Sequence, residues 1–131
     1  MSSLKLNQNI GISVSICLFC YDNDQKKVLT VINKEEPYKG AMILPTKILN
    51  ANESLEDVCS EILKYNIGNS NIYVEQLNAF GKLYRHPNGR IICISFYGLI
   101  NLEKDKVILN EKSGASFTSL DPNIDLAFDH N

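Results

Sequence analysis

One stretch of this chain carries both its own start and its own stop. Ser54 is followed three residues later by Asp57, the pattern of a capping box, and Glu56 and Asp57 sit where a helix dipole favours acids. Leu55, Val58, Cys59, Ile62 and Leu63 recur at the spacing of one apolar stripe, and Gly68 supplies a C-terminal stop. The spacing predicts one helix over 54–66 with a single buried face. Everything around it reads as strand and turn.

Gly11 to Tyr21 and Lys27 to Asn33 are apolar strands separated by the turn-forming Asp22-Asn23-Asp24-Gln25, so they make a hairpin. Ala41 to Leu44 and Lys47 to Leu49 are short extended pieces broken by Pro45. Ile72 to Tyr84, interrupted at Gly81, and Arg90 to Leu102 are longer strands, joined by His86-Pro87-Asn88-Gly89 with its Asn-Gly hairpin signal. Val107 to Leu109 and Ala115 to Leu120 are further candidate strands. Strands on both sides of an isolated helix predict an α+β sheet rather than a βαβ repeat.

At 131 residues the chain is long enough for one domain with one core. A formal net charge of −2 leaves no overall electrostatic footprint for nucleic acid or an anionic membrane. Met1 to Asn9 is too polar for a signal peptide, and no apolar run approaches the ~20 residues of a membrane span, so a cytoplasmic protein is expected. Cys17 and Cys20 form a C-x-x-C, but positions three apart on a strand point to opposite faces, which favours buried free thiols over a zinc or redox site.

The stretch Leu44 to Gly68 resembles the Nudix box, G-x5-E-x7-R-E-U-x-E-E-x-G-U, where U is a bulky aliphatic residue. Anchored on Glu53 and Gly68 the spacing fits without a gap, and Leu44-Pro45 stands where such domains carry Leu-Pro-Gly-Gly. In that register the first glycine is Lys47, the Arg-Glu pair is Glu61-Ile62 and the Glu-Glu pair is Tyr65-Asn66. Sliding by one residue puts Ser60 at the arginine and Lys64-Tyr65 at the acidic pair. Neither register restores the carboxylates. Mg²⁺ is small and hard and is usually held by carboxylates and substrate phosphates, whereas this helix edge would present Ile62 and Asn66 flanked by Lys64 and Tyr65. Without the ion to activate water and offset charge, hydrolysis by the family's route is expected to be absent or vestigial, with no cofactor. The alternative is a residual Mg²⁺ site built from Glu53, Glu56 and Glu61; the plainer reading of Glu56, Asp57 and Glu61 is a solvated, dipole-matched helix face.

The later string Val74 to Ile100 resembles one Nudix branch, in which Glu-Gln-Leu-x-x-Phe-Gly leads through Arg-Asp-Pro-x-Gly-Arg to an apolar strand ending near a tyrosine. Glu75-Gln76-Leu77, Phe80-Gly81, Arg85, Pro87, Gly89-Arg90 and Tyr97 match, with His86 for the aspartate, and Leu126-Ala127-Phe128-Asp129-His130 matches a further element of that branch. The branch contains ADP-ribose pyrophosphatases and Nudix-related transcriptional regulators. The resemblance implies a mixed β-sheet sandwiched by helices, a single Nudix-like domain over 1–131, and dimerisation. It also implies an effector sensor for ADP-ribose, another nucleotide or a sugar, with DNA contact left to a winged helix that this chain lacks. An active hydrolase of nucleoside diphosphate derivatives is the alternative, and a domain kept for self-association is a third.

For a phosphorylated or sugar-like effector, Arg85 and Arg90 are the leading donors, being the only arginines, with cross-strand pairing to acids as the competing role. Lys34 and Lys47 could add positive charge or be plain surface lysines. Phe80 and Tyr84 could stack on a base or pack in the core; Glu75 and Gln76 are strand polar groups facing opposite sides. Asp129 and His130 read as a turn or interdomain contact rather than an acid-base pair.

Overall fold

Alternation along the first strand sets the architecture. In the computed structural model, which describes residues 10–22, 24–34, 38–80 and 91–120, β1 runs Gly11–Asp22 and β2 runs Gln25–Ile32. Val14, Ile16, Leu18 and Cys20 are fully buried on one face of β1, in the same cluster as Val58, Cys59, Ile62 and Leu63. Cys17 and Phe19, on the opposite face, pack against Val28 and Leu44 instead. Cys17 and Cys20 are therefore separated by the sheet, and both are free thiols.

The remaining elements are β3 (Met42–Ile43), β4 (Thr46–Ile48), α1 (Leu55–Ile67), β5 (Glu75–Phe80), β6 (Ile91–Leu99), a 3-10 turn at Glu111–Ser113 and β7 (Ser116–Ser119). The strands form one mixed sheet in the order β3-β2-β1-β6-β5, with β4 also pairing β1 and β7 also pairing β2. β1 and β2 pair antiparallel up to Asp22 opposite Gln25, and Asp24 takes φ 65, a conformation aspartate tolerates. β1 and β6 run parallel, in register from Gly11↔Ile91 to Phe19↔Leu99. Among the described residues α1 is the one α-helix, and it covers a single sheet face.

The helix forms as its caps dictate. Ser54 Oγ accepts from the Asp57 amide at 3.0 Å, Asp57 Oδ2 accepts from the Ser54 amide at 3.2 Å, and Gly68 ends the helix at φ 72 with its N–H on the Lys64 carbonyl. Ser54→Ala removes one acceptor from this box and is expected to lower stability by about 1 kcal/mol. Urea unfolding should show a lower midpoint at unchanged slope.

Several sequence expectations shift. α1 extends one residue past Asn66, because Ile67 continues the stripe and is fully buried. β5 starts at Glu75 rather than Ile72, and β6 stops at Leu99, after which Asn101 Oδ1 accepts from the amides of Glu103 and Lys104 and turns the chain. Val107 to Leu109 is not a strand: Ile108 N–H and Asn110 N–H donate to the carbonyls of Ile67 and Asn66, so this segment satisfies the end of the helix. The expected hairpin at 86–89 and the motif at 126–130 lie outside the described residues.

Candidate functional site

β4 holds Lys47 opposite Val14, on the sheet face that carries α1. Its ammonium lies 3.2 Å from both carboxylate oxygens of Glu53 and 3.1 Å from Glu61 Oε2. Glu53 also accepts the Asn50 amide at 2.9 Å. Two of the three acids that could have formed a residual metal site thus share a lysine between them. Side-chain exposure of 14% for Glu53 against 53% for Glu61 makes Glu53 the inner partner.

The expected edge of Ile62 and Asn66 is corrected here. They are 5% and 6% exposed and belong to the buried stripe, where Asn66 Nδ2 donates to the Ile62 carbonyl at 2.9 Å. The reason lies in helical spacing: positions 58, 59, 62, 63 and 66 share one face, and burying its apolar members decides which way that face turns. Tyr65 remains exposed, as do Lys64 and Glu56. Burial, and secondarily the charge of Glu56, pushes the Cys59 thiol up to about 11, which leaves it an inert thiol at neutral pH.

The charges around Lys47 fix a pH dependence. The Asn50 amide, then Lys47, hold the Glu53 carboxyl below its ordinary value, and hydrogen bonds to Glu61 and Glu53 raise Lys47. A depressed acid contributes stability above its unfolded pKa and loses it as pH falls through the folded one. A raised lysine contributes below its unfolded pKa and loses it as pH rises through the folded one. The cluster should therefore be intact from mildly acidic to mildly alkaline pH. Thermal unfolding of Lys47→Met should depend less on pH than wild type across the carboxylate range.

The other sequence-predicted residues do not gather at this cluster. Lys34 donates to the Lys112 carbonyl, tying the segment after β2 to the 3-10 turn. Phe80 ends β5 with its backbone opposite Cys93. Arg85, Arg90, Tyr84, Asp129 and His130 lie outside the described residues. Among the described residues no three His, Cys, Asp or Glu side chains are grouped to hold a metal ion. Of the three acids, Glu53 and Glu61 are both engaged by the Lys47 ammonium.

A second polar cluster escaped the sequence reading. Glu75 accepts from Tyr73 Oη and Tyr97 Oη, each at 2.7 Å, one on each carboxylate oxygen. Tyr97, then Tyr73, lower the Glu75 carboxyl, and Glu75 raises both phenols. Spacing of two along a strand could have joined Tyr73 to Glu75. Tyr97 enters through the β5–β6 register, which no local pattern announces.

The same architecture occurs in solved structures. NrtR of Shewanella oneidensis superposes with a TM-score of 0.81 at 27% identity, over 91% of this chain and 57% of that one. The Nudix domain of the same protein, solved with ADP-ribose, gives 0.79 at 24% identity over 98% and 88%. A MutT/nudix family protein from Enterococcus faecalis gives 0.74 at 26% identity over 89% and 46%. This chain therefore spans about half the length of the Enterococcus protein and of NrtR. No family model and no curated protein matches the sequence. Fold and neighbours place the chain in the Nudix-like superfamily. Within it the chain resembles NrtR, which has also been solved on a 27-mer DNA. No helix among the described residues is long and apolar enough to cross a membrane.

Proposed function

We propose that this chain is the effector-binding domain of a Nudix-related regulator, one that keeps the fold and has given up metal-dependent hydrolysis. The observation that carries the reading is Lys47, whose ammonium bridges Glu53 and Glu61 at 3.1–3.2 Å beside a helix face where Ile62 and Asn66 are buried. A fixed ammonium offsets negative charge, but it neither activates water nor takes up the oxygens of a leaving phosphate as a divalent ion does. The resemblance to the Nudix domain crystallised with ADP-ribose supports a nucleotide effector of that kind, with a sugar as the other class. DNA contact in this proposal comes from a separate winged helix, not from these residues.

The test is a thermal-unfolding screen with ADP-ribose, nucleoside diphosphate sugars and free sugars, run beside an assay for product. One of them should raise the melting temperature without being consumed, because a ligand at a hundred times its dissociation constant adds about 2.7 kcal/mol to the folded state. No shift from any of them at millimolar concentration would overturn the effector assignment.

A further inference from the structure

Two tyrosines and a glutamate form a preorganised group on the sheet face away from α1. Glu75 stands opposite Tyr97 across β5 and β6, and Tyr73 lies two residues before Glu75, so the three side chains share one face. One phenol binds each carboxylate oxygen, both at 2.7 Å, which keeps the two hydroxyls within about 8 Å of each other. The rings are nevertheless in water: Tyr73 is 77% exposed and Tyr97 38%. Leu99, two residues beyond Tyr97 on the same face, is 65% exposed and continues this surface with an apolar side chain.

The charge of Glu75 has no complement. Among the described residues no lysine or arginine pairs with it; the ion pairs join Lys27 to Asp22, and Lys47 to Glu53 and Glu61. Lys26 on β2 stands on the same face, over the Phe19 ring at 4.7 Å, but three strand spacings of about 4.8 Å separate β2 from β5. That is beyond the ~8–10 Å over which a surface charge acts at ordinary ionic strength. Lys26 does show that an aromatic ring of this face takes a cation.

The hydrogen bonds already made select the kind of cation. Both carboxylate oxygens accept short bonds, so a small hard ion that demands several free oxygens is poorly served. A primary ammonium or a guanidinium needs directed acceptors for its N–H groups. A quaternary ammonium or an N-alkylpyridinium carries no N–H and needs only ring faces and a nearby negative charge. Phenols that donate to a carboxylate are polarised toward electron-rich rings, which strengthens that attraction. Rings already held in place also lose little freedom when something covers them.

We propose that Tyr73, Glu75 and Tyr97 bind a small organic cation without N–H groups, a quaternary ammonium or an N-alkylpyridinium, with Leu99 against its carbon atoms. The proposal does not rest on the effector reading.

NMR on the full chain carrying isotope-labelled tyrosine tests it, with choline and N-methylpyridinium titrated at constant ionic strength. The ring signals of Tyr73 and Tyr97 should move together and saturate, with a dissociation constant of ~1–10 mM for so exposed a site. Binding of either probe upholds the proposal, and the tighter one names the class. The neutral carbon isostere of choline should bind at least ~tenfold more weakly than choline itself. Glu75→Gln, which keeps the shape and removes the charge, should weaken choline by at least ~tenfold, and Tyr73→Leu should do the same with the melting curve still cooperative. No saturable movement up to ~100 mM overturns the proposal. So does an isostere that binds as well as choline, or unchanged binding in Glu75→Gln. A chain that ignores both cations while its melting temperature still rises with ADP-ribose would remove this site and leave the effector-binding proposal standing.

Discussion

Restoring the box glutamate at position 62 is expected to unfold this protein rather than revive a reaction. Ile62 is 5% exposed and lies in the cluster of Val58, Cys59, Leu63 and the buried face of β1. The nearby ammonium of Lys47 is already shared by Glu53 and Glu61. A carboxylate placed there would sit among those apolar side chains, and leaving a buried charge unpaired costs about 3–5 kcal/mol. Against a typical total of ~5–15 kcal/mol that is a large fraction. Urea unfolding of Ile62→Glu should show the loss, whereas Ile62→Leu, which conserves volume, should cost less than ~1.5 kcal/mol. An Ile62→Glu protein as stable as wild type, with new Mg²⁺-dependent turnover, would mean that this face can open to solvent.

Gly98→Ala is the second large effect. A Cβ at position 98 would sit 2.7 Å from the Tyr73 carbonyl oxygen, 2.9 Å from Val74 Cγ1 and 3.4 Å from Leu18 Cδ1. The first neighbour is backbone and cannot rotate aside, so the segment leading into β5 must move off β6. Overpacking of this kind costs about 1–3 kcal/mol, and the backbone clash places Gly98→Ala toward the upper end. For a domain of this size that lowers the melting temperature by roughly 10 °C. The same shift should disturb the Tyr73–Glu75 hydrogen bond, so tyrosine fluorescence should change in the folded state. An unchanged melting temperature would show that the approach of residues 73 and 74 to β6 is looser than described.

The parts of the fold legible in the sequence are those encoded locally. Ser54, Asp57 and Gly68 mark the helix because caps act within one turn, and the alternation in β1 separates Cys17 from Cys20 without tertiary information. The parallel pairing of β1 with β6 was not legible, since it joins strands about eighty positions apart and leaves no signature in either. The site was half legible. Missing carboxylates can be read directly, but Ile62 belonged at once to an apolar stripe and to a hypothetical metal edge, and only packing decides between them. Lys47 read as a surface cation because its role depends on a register opposite Val14 that brings it to the helix. The Tyr73–Glu75–Tyr97 cluster was hidden for the same reason.

If the Lys47 bridge has taken the place of a working divalent ion, ADP-ribose survives incubation with the purified chain and either Mg²⁺ or Mn²⁺. Chromatography should then find no AMP above the protein-free control. AMP that forms with the metal, and disappears in Glu53→Gln and Glu61→Gln, would contradict it.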